Sequence, residues 1–259
     1  MPALPSDPMP LYKEQGVVLR SAKLGEADKI VTVLTQGSGK VRAVAKGIRK
    51  TTSRFGGRLE PFTHVSLLVY RGRGALDTIT QADIISAHRP LREDLGLFAA
   101  GETMLEAADK VAEEHERNVR LFLLLLSGMR ALSGRPQEPT IVAESYLLKL
   151  LSLSGFHPSL TACAVCGRTN PELFSSGQGG AVCIGCAEID AGPASPQALG
   201  YLAGIASEDL AAVGDRGPTE VVVRKEARAL LYGFAEYHLE RRMRSLPMLA
   251  RGTSGSLVP

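Results

Sequence analysis

Cys163-Ala-Val-Cys166 and Cys183-Ile-Gly-Cys186 form the pattern C-x2-C-x16-C-x2-C, which lies inside the zinc-ribbon window. Two residues between thiolates let both sulfurs face one ion while the backbone turns around it. Gly167 and Gly185 sit where such turns need conformational freedom. Four thiolates close a tetrahedron and leave no position for water, so the expected role is structural, with one Zn²⁺ per chain. Two redox-active CxxC pairs are the rival reading, but neither pair follows a βαβ pattern. A site that has lost its metal and is held by ordinary packing is the other alternative. Four cysteines in a reducing compartment favour a metal over disulfides.

A second stretch with chemistry is Lys40–Arg58, KVRAVAKGIRKTTSRFGGR. It holds seven cations, Lys40, Arg42, Lys46, Arg49, Lys50, Arg54 and Arg58, and no acid. Thr51, Thr52 and Ser53 add hydroxyl donors, and Gly47, Gly56 and Gly57 allow close approach. Fixed charge, neutral donors and glycines are what a phosphate backbone needs, so the expected ligand is nucleic acid. A solvated basic loop is the bland alternative. No Asn or Gln lies between Lys40 and Arg58 to pair with adenine edges, so these residues are expected to hold phosphates rather than read bases. The aromatic supply is small: Phe55, Phe62 and Tyr70, with no tryptophan anywhere. Stacking, worth about 1–3 kcal/mol per base where it operates, is therefore expected to be minor.

Catalytic constellations are missing. Gly37–Lys40, GSGK, is no P-loop, because Val41 follows the lysine and Leu34 stands at the place of the first glycine. Neither HExxH nor GxSxG occurs, and His64, His88, His115, His157 and His238 are scattered. Glu113, Glu114 and Glu116 read as a solvated run on a helix surface. No nucleophile, base and orienter come together, so a binding protein is expected rather than an enzyme.

Charge is unevenly distributed. Residues 11–92 carry 15 Lys+Arg against 6 Asp+Glu, a net of +9, whereas residues 93–259 carry 15 against 20, a net of −5. Such an asymmetry marks the first third as the part facing a polyanion. An anionic membrane would also suit the charge, but a basic amphipathic helix is missing. The N-terminus, MPALPSDPMPLY, lacks a charged n-region and an apolar core, so it does not read as a signal peptide. The longest fully apolar run, Leu121–Leu126, is too short to span a bilayer. A soluble cytosolic protein is the expectation.

The elements that position these groups follow from periodicity. Residues 1–10 read as a flexible leader with four prolines. Strands are expected near Gly16–Arg20, Ile30–Thr35, Val41–Lys46, Val65–Tyr70 and Thr78–Ser86, punctuated by Gly25, Gly37–Gly39, Gly56-Gly57 and Gly72–Gly74. Five strands with a long connection between the third and fourth fit an OB-type barrel over 11–88, with an SH3-like barrel as the competitor. Helical periodicity then takes over. Leu97, Met104, Ala108 and Val111 form an apolar stripe, with Glu102, Glu106, Asp109 and Glu113 opposite. Val119–Leu132 is apolar nearly all round, and Val142–Leu153 forms a third helical segment. Ser195-Pro196 reads as an N-cap with proline in the first turn of a helix to about Val213. A last helix is expected over roughly Arg224–Arg244. The predicted class is thus α+β and multidomain: a five-stranded OB-fold barrel, then a helical domain over 89–156 and 191–245 with an embedded four-cysteine zinc module at 157–190, and a flexible tail from 246 to 259.

These residues resemble a known family, the bacterial RecO recombination mediators, over about residues 12–243. GVVLRSAKLGEADKIVTVLTQGSGKVRAVAKGIRK followed by SRFGGRLEPF, and then GRGALDTITQADII, are similar to that family's barrel signature. GFHPSLTACAVCGR and FSSGQGGAVCIGC are similar to its zinc-bearing insert. The resemblance implies an N-terminal OB-fold, a helical C-terminal domain and zinc on Cys163, Cys166, Cys183 and Cys186. It also implies DNA repair and recombination: binding single- and double-stranded DNA, annealing complementary strands, and assisting RecA onto strands coated by single-strand-binding protein. RecR and the C-terminal tail of single-strand-binding protein are the implied partners, RecA an indirect one, and the nucleoid-associated cytoplasm the implied location. Lys46, Arg49, Lys50 and Arg54 are the chief implied DNA contacts. Arg130 and Arg135, which flank the most apolar helix, are candidates for the acidic tail. A protein-recruiting adaptor and an RNA-binding OB protein remain the alternatives.

Overall fold

The computed structural model describes residues 11–252 apart from Thr52, Arg54, Arg73, Pro218 and Arg241. Two compact units emerge: the chain up to His88 together with Ala112–Phe122, and Arg89–Val111 together with the chain from Leu123 onward. Each is described by itself. The expected leader and the last seven residues of the expected tail lie outside the described residues.

The first unit is built on β1 (Leu11–Leu24), β2 (Asp28–Thr35), β3 (Gly39–Ala45), β4 (His64–Tyr70) and β5 (Asp77–Ser86). They close a barrel in the order β1-β2-β3-β5-β4. All neighbours are antiparallel except β3 and β5, which close the barrel through the short parallel pairing Ala43↔Asp77 and Val44↔Thr78. This is the OB arrangement, and the SH3-like alternative falls away. Closure removes most of the exposed strand edge. Alternation explains the core: in β3, Val41, Ala43 and Ala45 point inward while Lys40 and Arg42 point out. The interior is aliphatic, with Val18, Val31, Val33, Val65, Leu67, Val69 and Ile79 packed around Phe55 and Leu59. β1 is longer than periodicity suggested. Its first five residues, Leu11–Gln15, pair with β4 alone, and none of them is fully buried, so they carry little apolar pattern. A register shift between Val18 and Arg20 lets β1 bend between its two partners.

In the second unit, α1 (Pro90–Glu93), α2 (Leu95–Val111) and α4 (Pro139–Leu153) precede the cysteine segment; α3 (Val119–Ser133) lies between α2 and α4 in the chain, with its first four residues in the first unit. The cysteine segment carries β6 (Leu173–Ser175), β7 (Gly180–Val182) and β8 (Gly192–Pro193) as a small sheet ordered β7-β6-β8. α5 (Pro196–Ser207), α6 (Leu210–Val213), α7 (Val221–His238) and α8 (Leu246–Gly252) follow. α4 is buried over most of its length and forms the hub. One of its two charged residues is buried. Glu144 is 2% exposed, and its carboxylate accepts from Arg228 Nε of α7 at 2.7 Å. Burial raises the Glu144 pKa, opposed by the Arg228 charge. Such a pair is costly to desolvate, and removing one partner would leave an uncompensated buried charge.

Ser195 caps α5 as expected: its hydroxyl accepts from Ala198 N at 3.1 Å, with Pro196 in the first turn. The single helix expected to Val213 is instead split at Glu208-Asp209. Asp209 accepts from Ala211 N at 2.7 Å and starts α6. The last long helix stops at His238 rather than near Arg244, and Glu240 takes a left-handed φ of 51°. The segment from 246, expected to be structureless, opens with α8, whose Leu246 and Leu249 are buried.

What holds α8 is legible in the hydrogen bonds. Glu106, read from sequence as lying opposite the apolar stripe, accepts from Arg244 N at 2.9 Å and Ser245 N at 2.8 Å. Lys110, one turn on, donates to Arg242 O at 3.2 Å. Burial alone would raise the Glu106 carboxyl, but bonds from Ser245 and Arg244 and the Lys110 charge outweigh it and hold the pKa below the ordinary 4.5. The folded form thus binds a proton more weakly than the unfolded chain. The clamp is fully present above about pH 4.5 and is lost as the pH falls through the depressed value. Hydrogen exchange of residues 246–252 is expected to speed up on acidification. Glu106→Gln is expected to lower protection at neutral pH and to flatten that pH dependence; a Gln variant with wild-type protection would refute the clamp.

Candidate metal centre and nucleic-acid interface

The four cysteine sulfurs lie within 4.8 Å of one another. Cys166 Sγ and Cys183 Sγ are 3.8 Å apart. A tetrahedron with Zn–S bonds of about 2.3 Å has sulfur–sulfur edges of about 3.8 Å, so the donor set fits a four-thiolate metal site. The first knuckle is closed by Gly167 N donating to Cys163 O at 2.9 Å and Cys163 N to Arg168 O at 2.8 Å. Gly167 has a φ of 73°, a region a side chain resists. Gly185 has no such need. It sits in a 3-10 turn, Ile184–Cys186, and only Gly167 fulfils the expected role.

Both knuckles are held from behind. Ala164 N donates to Ala181 O of β7 at 2.8 Å. Gln178 Nε2 donates to Cys186 O at 2.9 Å, and its Oε1 accepts from Glu188 N at 3.1 Å. Ser175 Oγ donates to Asp190 at 2.8 Å. Gln178, Ser175 and Asp190 carry no sequence signal, because their role depends on the fold of the loop. Electrostatics favour a cation. Backbone N–H groups of Cys166 and Cys183 bring the Cys163 thiol down to about 6. The Cys183 and Cys166 thiols push Cys186 up to about 12. Four adjacent sulfurs ionise together only when a positive ion compensates them.

The basic segment runs along β3 into the β3–β4 connection and divides into two parts. At one end of the barrel, Lys23 faces Lys29 across β1 and β2, and Lys29 faces Ala45 across β2 and β3, next to Lys46. The β1–β2 turn docks there: Arg49 N donates to Ala27 O at 3.0 Å, Arg49 Nη1 to Gly25 O at 3.1 Å, and Gly47 N to Asp28 at 2.7 Å. Lys46, Arg49 and Lys50 are thereby gathered with Lys23 at one end. Lys23 and Lys29 escaped the sequence reading because cross-strand register, not chain proximity, brings them there. Lys29 also pairs with Glu60 at 3.2 Å. Arg58 donates to Phe55 O at 3.2 Å. Arg54 lies outside the described residues.

Lys40 and Arg42 are differently placed. Residues 113–116 leave the helix and lie beside the start of β3. Lys40 N donates to Glu113 O at 3.2 Å, and His115 N donates to Lys40 O at 3.0 Å. Arg42 Nη1 meets Glu114 Oε1 at 3.4 Å. Gly39, with a φ of 65°, permits this approach, since a Cβ there would collide with the Glu116 carbonyl. The acidic run expected on a solvated helix face is thus a strap against the barrel, and an acid-free sequence stretch is not acid-free in space. Phe55, in the barrel core, and Phe62 are each 1% exposed, leaving Tyr70, 37% exposed, as the remaining one of the three expected stacking aromatics.

Family profiles match both parts of the chain: "Recombination protein O N terminal" over residues 9–88 and "Recombination protein O C terminal" over residues 92–247. The chain belongs to the recombination protein O family. It is 45% identical over 248 residues to the DNA repair protein RecO of Frankia casuarinae, covering 94% of this chain and 100% of the relative. It is 44% identical over 250 residues to that of Nocardioides sp., covering 93% and 100%. Identity to that of Bifidobacterium longum is 40% over 243 residues, covering 93% and 99%. Membership of the RecO family makes this a DNA repair protein, with an OB-fold barrel, a helical part and a four-cysteine cluster that suits a metal. Among the described residues no helix is long and apolar enough to cross a membrane. Of the two tail-peptide candidates, Arg135 pairs with Glu93 at 3.6 Å across exposed side chains, a contact worth little. Arg130 is exposed.

Proposed function

We propose that this chain is a non-enzymatic recombination mediator that binds single- and double-stranded DNA through its barrel, anneals complementary strands and assists RecA onto DNA coated by single-strand-binding protein. RecR and the acidic tail of single-strand-binding protein are its partners in this reading, and the cytoplasm its location. The observation that carries it is the gathering of Lys46, Arg49, Lys50 and Lys23 at one barrel end, with Phe55 and Phe62 withdrawn into the core. Such a surface neutralises phosphate repulsion and leaves base edges free to pair. The resident ion is Zn²⁺ on Cys163, Cys166, Cys183 and Cys186, where it supplies a closed structural cross-link and no chemistry. The deciding experiment is annealing of complementary strands precoated with single-strand-binding protein. Acceleration by the purified chain, with no strand cleavage or nucleotide consumption, is expected. No acceleration, or tighter binding to RNA than to DNA at equal salt, would overturn the reading.

The acidic strap predicts a gain of function. Glu114 competes with phosphate for Arg42, so Glu114→Gln is expected to tighten DNA binding modestly. It should steepen the salt dependence by up to about 0.7 on single strands. A salt titration of wild type and variant checks this, and an unchanged slope would leave Arg42 outside the DNA site.

A further inference from the structure

We propose that a cleft on the outer face of β1 and β4, beside the β2–β3 turn, is a second site for a phosphodiester backbone. It rests on the reading of the barrel as a DNA-binding domain and adds a site that the basic segment does not contain. The cleft has a volume of about 600 Å³ and is lined by Lys13, Gln15, Gln36, Ser66 and Arg117, together with Glu14 and Gly37. Lys13 and Gln15 project from the same face of β1, opposite Leu68 and Ser66 of β4. Gln36 N donates to Gln15 O at 2.9 Å, which fixes the turn against β1.

The charges in the cleft are available. Glu14, its one acid, is engaged: the carboxylate accepts from Gly37 N at 3.1 Å and from Ser38 Oγ at 2.6 Å. Lys13 and Arg117 make no ion pair among the described residues. Two free cations, two amides and a hydroxyl are the groups that hold phosphate and sugar oxygens. Among the described residues no aromatic ring lines the cleft, so bases have nothing there to stack on. Among the described residues no large aliphatic side chain lines it either, which disfavours an acidic peptide anchored by an apolar residue.

Its position makes it separate. Lys13 and Lys23 are ten residues apart on β1, at most about 33 Å along an extended strand, and Lys23 belongs to the end that holds Lys46 and Arg49. Spanning that length takes about ten phosphates of one duplex strand at 3.4 Å each. A long DNA therefore engages both sites, and the two contribute independently because they share no partners.

The test is a salt titration of binding to a 30-nucleotide single strand for wild type, Lys13→Ala/Arg117→Ala, Arg49→Ala/Lys50→Ala and the quadruple variant, with melting curves as folding controls. The cleft pair is expected to lower the slope by about 1.4, and the quadruple variant by about twice that. Lys13→Arg/Arg117→Lys is expected to restore it. A cleft pair with the wild-type slope, while Arg49→Ala/Lys50→Ala loses its share, would overturn this proposal and leave the proposed function intact. Loss of slope in neither variant would overturn both. A cleft pair that keeps its DNA slope but loses binding of an acidic glutamate peptide would make the cleft a protein-docking site and refute the assignment.

Discussion

Cys183→Ser is expected to strip the chain of metal and to unfold the module between α4 and α5. Cys183 supplies one corner of the four-sulfur cluster, and its N–H donates to Cys163 Sγ at 3.4 Å. The substitution keeps that backbone donor but removes one of the four thiolate ligands. Around the site the core is thin: Phe174, Ala181 and Val182 are buried, but Val165 and Ile184 at the knuckle tips are 58% and 70% exposed. So small a core depends on its cross-link. Structural zinc in isolated finger peptides contributes about 10–16 kcal/mol of apparent folding free energy. That sets an upper bound here, because α5 and α7 hold one flank through Glu226, which takes both Ser195 N and Oγ at 2.6 Å. Wild type is expected to carry about one Zn²⁺ per chain by elemental analysis. The variant should lose it together with a distinct low-temperature melting step. Chelator should reproduce the variant's melting in the wild type. Metal-free wild type whose melting ignores both the chelator and the substitution would refute the site.

Replacing Lys46, Arg49 and Lys50 with Ala together is expected to weaken binding to every DNA sequence alike. The cations are gathered around a turn, and no amide side chain stands among them to pair with a base edge. The slope of log affinity against log salt should fall by about 2.1 on single strands and about 2.7 on duplex, 0.7 and 0.9 per contact. Annealing should fall in parallel, while zinc content stays normal. Arg49 also donates to Gly25 O, so a small loss in melting temperature is expected from that anchor alone. Titration on two unrelated sequences decides. A sequence-dependent loss would replace phosphate tracking with base readout, and an unchanged slope would move the DNA site elsewhere on the chain.

Much was legible in the residues themselves, for identifiable reasons. A metal ligand set is local in chemistry and spacing, so two CxxC pairs declare themselves whatever surrounds them. β3 alternates cleanly because one face is buried and the other wet, so its inward and outward residues follow from the alternation alone. The cap of α5 involves residues three apart in the chain, Ser195 and Ala198, and was equally plain. The elements misjudged from sequence lacked such local marks. Leu11–Gln15 form a strand through pairing with β4 rather than through their own pattern. α8 is seven residues long, too short to stand alone, and exists because α2 offers Glu106 and an apolar seat.

The amino-acid sequence by itself determined the four-thiolate site, the five strands, the helical remainder and the concentration of positive charge in the first third. Short-range chemistry and burial periodicity carry that information. Tertiary structure alone decided which charges are free. It set Glu114 against Arg42, brought Lys23 and Lys29 to the end that holds Lys46, sank Phe55 and Phe62 into the core, and opened the cleft between Lys13 and Arg117. Coulomb interactions and solvent exposure depend on distance in space, and strand register and strap docking fix distances that spacing along the chain does not encode.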